Sequence, residues 1–208
     1  ARWVSTLQEG PLLLRSPPFR YNGKGLVAGI GIILTSVMDS RKREERYMLE
    51  EIKEIWEKGT EEEREVLALA VQAIRRKRER NSAYLSGFLG LAGEYLDEEK
   101  RSYQFIVPIT SFMNNSLGVV HGGITATLMD STMGSLVNRS LPKGRYAVTT
   151  ELKINYLRPG TGRHLRSVAT ILHRGKHLVV CEGSVYDDAE RLVAHATGSF
   201  MLLGKEQA

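Results

Sequence analysis

Leu117 to Asn138 reads LGVVHGGITATLMDSTMGSLVN, and how this stretch folds decides how the rest of the chain is read. Gly122 and Gly123 follow His121, and the next sixteen residues hold no Pro and enough Ile, Leu, Met, Ala and Val to predict a helix starting near Gly123. Its apolar residues do not keep to one stripe, which predicts a helix covered on nearly all sides. Asp130 is the only ionisable side chain between Gly122 and Asn138. A carboxylate in such surroundings is costly unless partnered or used. It is either bonded to nearby hydroxyls such as Ser131 or Thr127, or it serves as a general base or nucleophile.

A glycine-rich helix start offers unpaired N–H groups and the positive end of the helix dipole, suited to a carbonyl oxygen gaining negative charge. Gly122 is the natural donor. At 1.5 Å per residue, Asp130 lies roughly 12 Å along the axis from Gly122, too far for both to act on one carbonyl. A two-fold dimer with neighbouring antiparallel helices brings Asp130 of one subunit beside Gly122 of the other.

Outward from the helix the pattern changes period. Arg101 to Ile109 alternates as a strand ended by Pro108, and four further segments read as strands: Tyr146 to Leu157, Arg163 to His173, His177 to Asp187 and Arg191 to Leu203. Their separators, Arg158-Pro159-Gly160, Arg174-Gly175-Lys176 and Asp188-Ala189-Glu190, carry turn chemistry. One long helix with antiparallel strands predicts an α+β layer, the sheet wrapped around the helix.

NSLGVVHGGITATLMD at Asn115 to Asp130 and TTELKINYLRP at Thr149 to Pro159 resemble the hotdog-fold acyl-CoA thioesterases of the phenylacetate-pathway (PaaI-like) type. The likeness runs from about Arg101 to Leu203, with an Asn six before the His, the HGG triplet and an Asp nine after the His in register. It implies a composite dimer-interface site, in a dimer or tetramer, that hydrolyses an acyl-CoA thioester to free acid and coenzyme A. It places the Gly122 N–H on the thioester oxygen, Asp130 as base or nucleophile, Asn115 near the carbonyl and water, and Thr149 as a water-orienting hydroxyl. His121 then fixes the HGG turn and supports the oxyanion donor. Thr150, its neighbour, points to the opposite face of a strand from Thr149, so only one of them faces the site. For the coenzyme the resemblance points to Gly123, to Tyr156 and to the hairpin His173, Arg174, Gly175, Lys176 and His177. No cofactor beyond coenzyme A, itself part of the substrate, is implied. A non-catalytic acyl-CoA sensor is the rival reading.

The composition, 208 residues with 42% hydrophobic and 25% charged, is that of a soluble protein with one main domain and an appendage. The single Cys181 lies in the apolar run LVVCEGSVY, forms no intrachain disulfide and reads as a buried strand residue, which fits a reducing cytoplasm. The five His residues lack metal-ligand spacing, so no metal site is expected. A net charge of +5 is compatible with the phosphates of coenzyme A.

Ahead of the main domain, residues 1–37 read as a leader or added segment, with Met38 as a natural start. The apolar run LVAGIGIILTSV within it is too short to span a bilayer, so no membrane partner is expected. Residues 38–98 read as a helical extension and 99–208 as the hotdog domain. Two amphipathic helices are expected between Asp39 and Arg80, split at Gly59, with a Thr60/Glu63 capping box and apolar faces (Met48, Ile52, Ile55 and Trp56 in the first) that should pack on something. The basic run Arg75 to Arg80 invites a nucleic-acid reading. However, Met38 to Arg80 holds twelve basic and twelve acidic residues, which favours a solvated helix end.

Overall fold

The computed structural model describes residues 26–204. The described residues fall into two compact units, divided between Glu54 and Ile55. Of the segment read as a leader, residues 1–25 lie outside the described residues. Leu26 to Val37 are helical, so α1 (Leu26–Lys58) begins well before the expected start near Asp39. Met48 and Ile52 on this helix are exposed rather than packed.

In the second unit the last turn of α1 is followed by α2 (Glu61–Arg80), started by the expected capping box: Thr60 Oγ1 accepts from the Glu63 N–H (3.2 Å) and Glu63 Oε2 from the Thr60 N–H (2.7 Å). Its last turn carries Lys77, Arg78 and Arg80, where cations suit the negative end of the helix. The buried Ala73 meets Gly87 of α3 (Tyr84–Phe88) so closely that a Cβ on Gly87 would lie 2.5 Å from the Ala73 backbone.

Six antiparallel strands form one sheet in the order β1-β2-β4-β5-β6-β3: β1 (Ala92–Tyr95), β2 (Ser102–Pro108), β3 (Arg145–Tyr156), β4 (His164–Arg174), β5 (Leu178–Tyr186) and β6 (Leu192–Gly204). Five match the alternating segments of the sequence. β1 does not, because AGEY is short and carries Gly93. A Cβ at Gly93 would fall 2.6 Å from the Tyr103 hydroxyl and 2.5 Å from the Gln104 carbonyl, so close pairing with β2 depends on the missing side chain.

The helix α4 (Gly122–Arg139) lies on the inner face of this sheet, giving the hotdog architecture. Leu128, Met129, Met133, Leu136 and Val137 are at most 1% exposed, and each such side chain withdrawn from water stabilises by about 1.5–3 kcal/mol. Met133 fits against Gly183 and Gly198, where added Cβ atoms would come within 3.5 and 3.2 Å of it. Thr132 Oγ1 donates to the Leu128 carbonyl (2.6 Å) and lies 2.8 Å from Ser167 Oγ, so both buried hydroxyls are bonded. Coverage is one-sided, however. Thr127, Asp130, Ser131 and Gly134 are only half-buried among the described residues, a stripe at helical spacing.

Candidate active site

The N-terminal end of α4 is pinned from three directions. The Val120 N–H donates to the Gly160 carbonyl (3.0 Å) and the His121 N–H to the Met113 carbonyl (2.8 Å). Asn115 Oδ1 accepts from the N–H groups of Leu117 (2.9 Å) and Val119 (3.4 Å), locking the preceding turn; among the described residues its Nδ2 has no acceptor. His121 is the N-cap: its Nδ1 accepts from the Gly123 N–H at 2.9 Å. Gly123 is thereby satisfied, whereas the Gly122 N–H has no acceptor among the described residues. The Tyr156 hydroxyl donates to the Gly122 carbonyl (3.0 Å), and its ring lies 3.5 Å from where a Gly122 Cβ would stand. Val119, Val120, Gly122, Tyr156 and Leu157 border a groove of about 400 Å³ here.

Two turns along the helix, Asp130 does not bond the hydroxyls nearest in sequence. Thr127 Oγ1 donates instead to the Gly123 carbonyl (2.9 Å), and the partner of Asp130 is Thr149, whose Oγ1 donates to Oδ1 at 2.7 Å. A register shift in the β3–β6 pairing between Thr149 and Glu151 decides which threonine faces the carboxylate, since a bulge re-aims the side chains beside it. Thr150 Oγ1 turns to the Ser199 carbonyl (3.0 Å). One residue that the sequence did not disclose supports this arrangement. Asn138 bridges α4 to β3, donating to the Gly134 (2.9 Å) and Ala147 (3.3 Å) carbonyls and accepting from the Ala147 N–H (2.9 Å). An Asn late in a helix is the only sequence signal for it.

The expected residues therefore form three groups within one chain. Asn115, His121, Gly122, Gly123 and Tyr156 surround the start of α4, so Tyr156 sits beside Gly122 rather than with the hairpin. Asp130 and Thr149 meet in mid-helix. His173 to His177 form the β4–β5 turn, where the Gly175 N–H donates to the Leu178 carbonyl (2.8 Å), Lys176 accepts from Arg145 and Arg174 bonds the Ser140 hydroxyl at the far end of α4. Cys181 is fully buried and burial pushes its thiol up to about 12, which leaves it protonated and unreactive. No group of three His, Cys, Asp or Glu among the described residues could hold a metal ion, and no described helix is long and apolar enough to cross a membrane.

With this geometry in place, comparisons with known proteins are informative. The thioesterase superfamily profile matches residues 117–194. A Halobacterium salinarum chain provisionally named an esterase is 35% identical over 118 residues, 54% of this chain and 76% of that one. A Saccharolobus solfataricus chain, also provisionally named an esterase, is 36% identical over 85 residues, 41% of this chain; the match spans only 56% of that relative. Among solved structures, the BH2602 protein of Bacillus halodurans, crystallised with CoA, is 43% identical with a TM-score of 0.65, covering 72% of this chain and 99% of that one. The Escherichia coli PaaI protein shares the fold at 24% identity, with a TM-score of 0.55 over 66% of this chain and 98% of that one.

Proposed function

Because the chain belongs to the thioesterase superfamily, we propose that it hydrolyses acyl-CoA thioesters to a free acid and coenzyme A, at two equivalent sites built between two copies of the chain. The observation that carries this reading is a half-buried Asp130 carboxylate held by the Thr149 hydroxyl, on the same helix that opens with an unpaired Gly122 N–H.

The thioester oxygen accepts from the Gly122 N–H and becomes the oxyanion of the tetrahedral intermediate. His121 serves this step without touching substrate, by capping Gly123 and fixing the turn. Thr149 holds one oxygen of Asp130, so the other is presented to the reaction as base toward water or as nucleophile. In the water route the water oxygen bonds the carbonyl carbon, its proton passes to Asp130, and the C–S bond breaks. That proton then leaves with the coenzyme thiolate. Asn115 Nδ2, freed as a donor by the way Oδ1 is used, aims at the carbonyl or the water. These steps call on neither metal nor redox cofactor.

Asp130 and Gly122 sit eight residues apart on one helix, roughly 12 Å along its axis, so each site takes its acid from one copy and its amide from the other. The half-exposed stripe of α4 is the face that a second copy covers. The hairpin of His173, Arg174, Gly175, Lys176 and His177 meets the coenzyme's phosphates; the Bacillus halodurans relative was solved with CoA. A reducing cytoplasm suits the lone buried Cys181. The test is hydrolysis of a panel of aryl and medium-chain acyl-CoA thioesters by the wild type, Asp130→Asn and Asp130→Ala. Turnover by the wild type that both variants lose supports the reading. Binding of acyl-CoA without turnover by the wild type replaces it with a sensor.

A further inference from the structure

Three segments far apart in sequence enclose a cavity of about 530 Å³ at the C-terminal end of α4: the turn after β1 with Glu99, Lys100 and Arg101, the helix end with Arg139 and Ser140, and the outer end of β4 from Ile171 to Arg174. Four basic side chains line it, Lys100, Arg101, Arg139 and Arg174, against the single carboxylate of Glu99. None of the four forms an ion pair with a carboxylate among the described residues. Three of them are oriented by uncharged partners, while the fourth, Arg101, interacts electrostatically with the Asp97 carboxylate. Lys100 Nζ lies 5.7 Å from the centre of the Tyr95 ring, the Arg139 guanidinium 5.2 Å over Tyr103, and Arg174 bonds the Ser140 hydroxyl.

The turn that presents Lys100 and Arg101 is built firmly. The Asp97 carboxylate accepts the N–H groups of Arg101 (2.8 Å) and Ser102 (2.6 Å), and the Arg101 N–H in particular holds that carboxyl below its ordinary range. Lys100 occupies the left-handed region with φ 57°, a conformation that favours Gly or Asn and that a side chain with a Cβ adopts at a cost. A lysine at this position adds a cation to a cleft already rich in them. Like charges focused in a concave site raise the local concentration of anions, and guanidinium forks match phosphate oxygens two at a time. Beside the cations lie Tyr95, Ile171 and the half-exposed Leu172, a wall suited to the flat face of a base. The volume falls in the range of about 300–1,000 Å³ typical of small-ligand sites.

We propose that this cleft binds the phosphate groups of a phosphorylated nucleotide. Two sources share that chemistry: the nucleotide end of the substrate's coenzyme, an assignment that rests on the hydrolase reading above, and a free nucleotide. Lys100, Arg101 and Arg139 lie outside the hairpin assigned to coenzyme A, and they widen the contact from one turn to three segments of chain.

The probe is adenosine 3′,5′-bisphosphate, titrated calorimetrically into the full chain and into the double variant Lys100→Asn/Arg101→Gln; the Asn suits the left-handed backbone of the turn. The wild type binds it, more weakly as salt rises, and the double variant binds about tenfold more weakly, on the scale expected for lost charge-assisted contacts. Glu99→Gln, which removes the one carboxylate that lines the cleft, tightens binding and keeps the test decisive if the double variant folds poorly. Equal affinity in wild type and variants, or no binding by the wild type, overturns the site. Steady-state kinetics then separate the sources. A higher KM for acyl-CoA at unchanged kcat, with the matching acyl-pantetheine thioester unaffected, assigns the site to the coenzyme. Weakened bisphosphate binding with both KM values unchanged assigns it to a free nucleotide. A wild type that hydrolyses no thioester refutes the hydrolase reading, while the titration still decides the site.

Discussion

The two edges of the sheet are unlike. β1 is four residues long and pairs along its length with β2, beside the cleft at the far end of α4. β3 is twelve residues long, pairs only with β6 and leaves Tyr146 and Val148 exposed along it. A short edge gives a stray strand little to add to, whereas a long, open, partly apolar one is a template for pairing. The open edge is also the one tied to the site: Thr149 of β3 bonds Asp130 and Asn138 clasps Ala147. The chain thus closes its sheet on one side and stays open where the proposed reaction needs a second copy.

The largest effect expected on this contrast is chemical. Asp130→Asn keeps the size of the side chain and its bond to Thr149 but loses the base, and turnover should fall roughly 10³-fold. If the residual rate stays near the wild-type value, the β3 side of α4 is not the reaction centre. Next comes the edge itself. Tyr146→Lys/Val148→Lys places like charges where two β3 strands would meet, so light scattering should report monomers and turnover should drop about 10²-fold. Ala92→Lys on β1, the matched control, should change neither. Equal responses from the two edges would erase the contrast.

Smaller effects sharpen it. Tyr156→Phe removes the hydroxyl that holds the Gly122 carbonyl, worth about 1 kcal/mol as a typical hydrogen bond; kcat should fall about fivefold with KM nearly unchanged. A rise in KM alone would instead place Tyr156 against the coenzyme. The least effect is expected at the β5–β6 turn, which contributes no residue to the proposed reaction. The N–H groups of Arg191 and Ala189 and the Arg191 guanidinium hold the Asp187 carboxyl below its ordinary value of 3.8, the Arg191 N–H most strongly. A carboxyl depressed on folding stabilises the native state above the unfolded pKa, and that contribution is lost as pH falls through the folded one. Thermal unfolding of Asp187→Asn should therefore lie below the wild type at pH 7, and the gap should shrink as pH drops below 3.8, without change in oligomeric state.

What could be read from the sequence follows from how local each signal is. The α4 helix, its lone carboxylate and five strands rest on periodicity and composition within a dozen residues, and the capping box on a four-residue pattern. β1 escaped notice because its four residues owe their pairing to Gly93 giving way to Tyr103 across the sheet. Thr149 rather than Thr150 was implied only by the resemblance; the bulge that turns Thr149 to Asp130, and the position of Ala147 that gives Asn138 its partner, are long-range facts. The half-buried stripe of Thr127, Asp130, Ser131 and Gly134 corrects the expectation of a helix wrapped on nearly all sides: the apolar residues pack inward, Ile124 included, and the incompletely covered positions are the small and polar ones. Nor does the sequence display the basic cleft, since its four cations come from positions 100 to 174 and converge only through the pairing of β2 with β4.

The central claim is that one copy's carboxylate works with the other copy's amide, and subunit complementation tests it most directly. Gly122→Pro deletes only the donor N–H at a first helical position that tolerates proline, after a residue whose backbone (φ −59°, ψ 135°) suits a following proline. Each of Asp130→Asn and Gly122→Pro alone should be inactive. In a hybrid of the two, one site carries both lesions and the other carries none. Unfolding and refolding an equal mixture should therefore restore about a quarter of wild-type turnover, given random pairing into two-fold dimers. A mixture that forms hybrid dimers yet stays inactive would show that acid and amide act from the same chain, and would contradict the account.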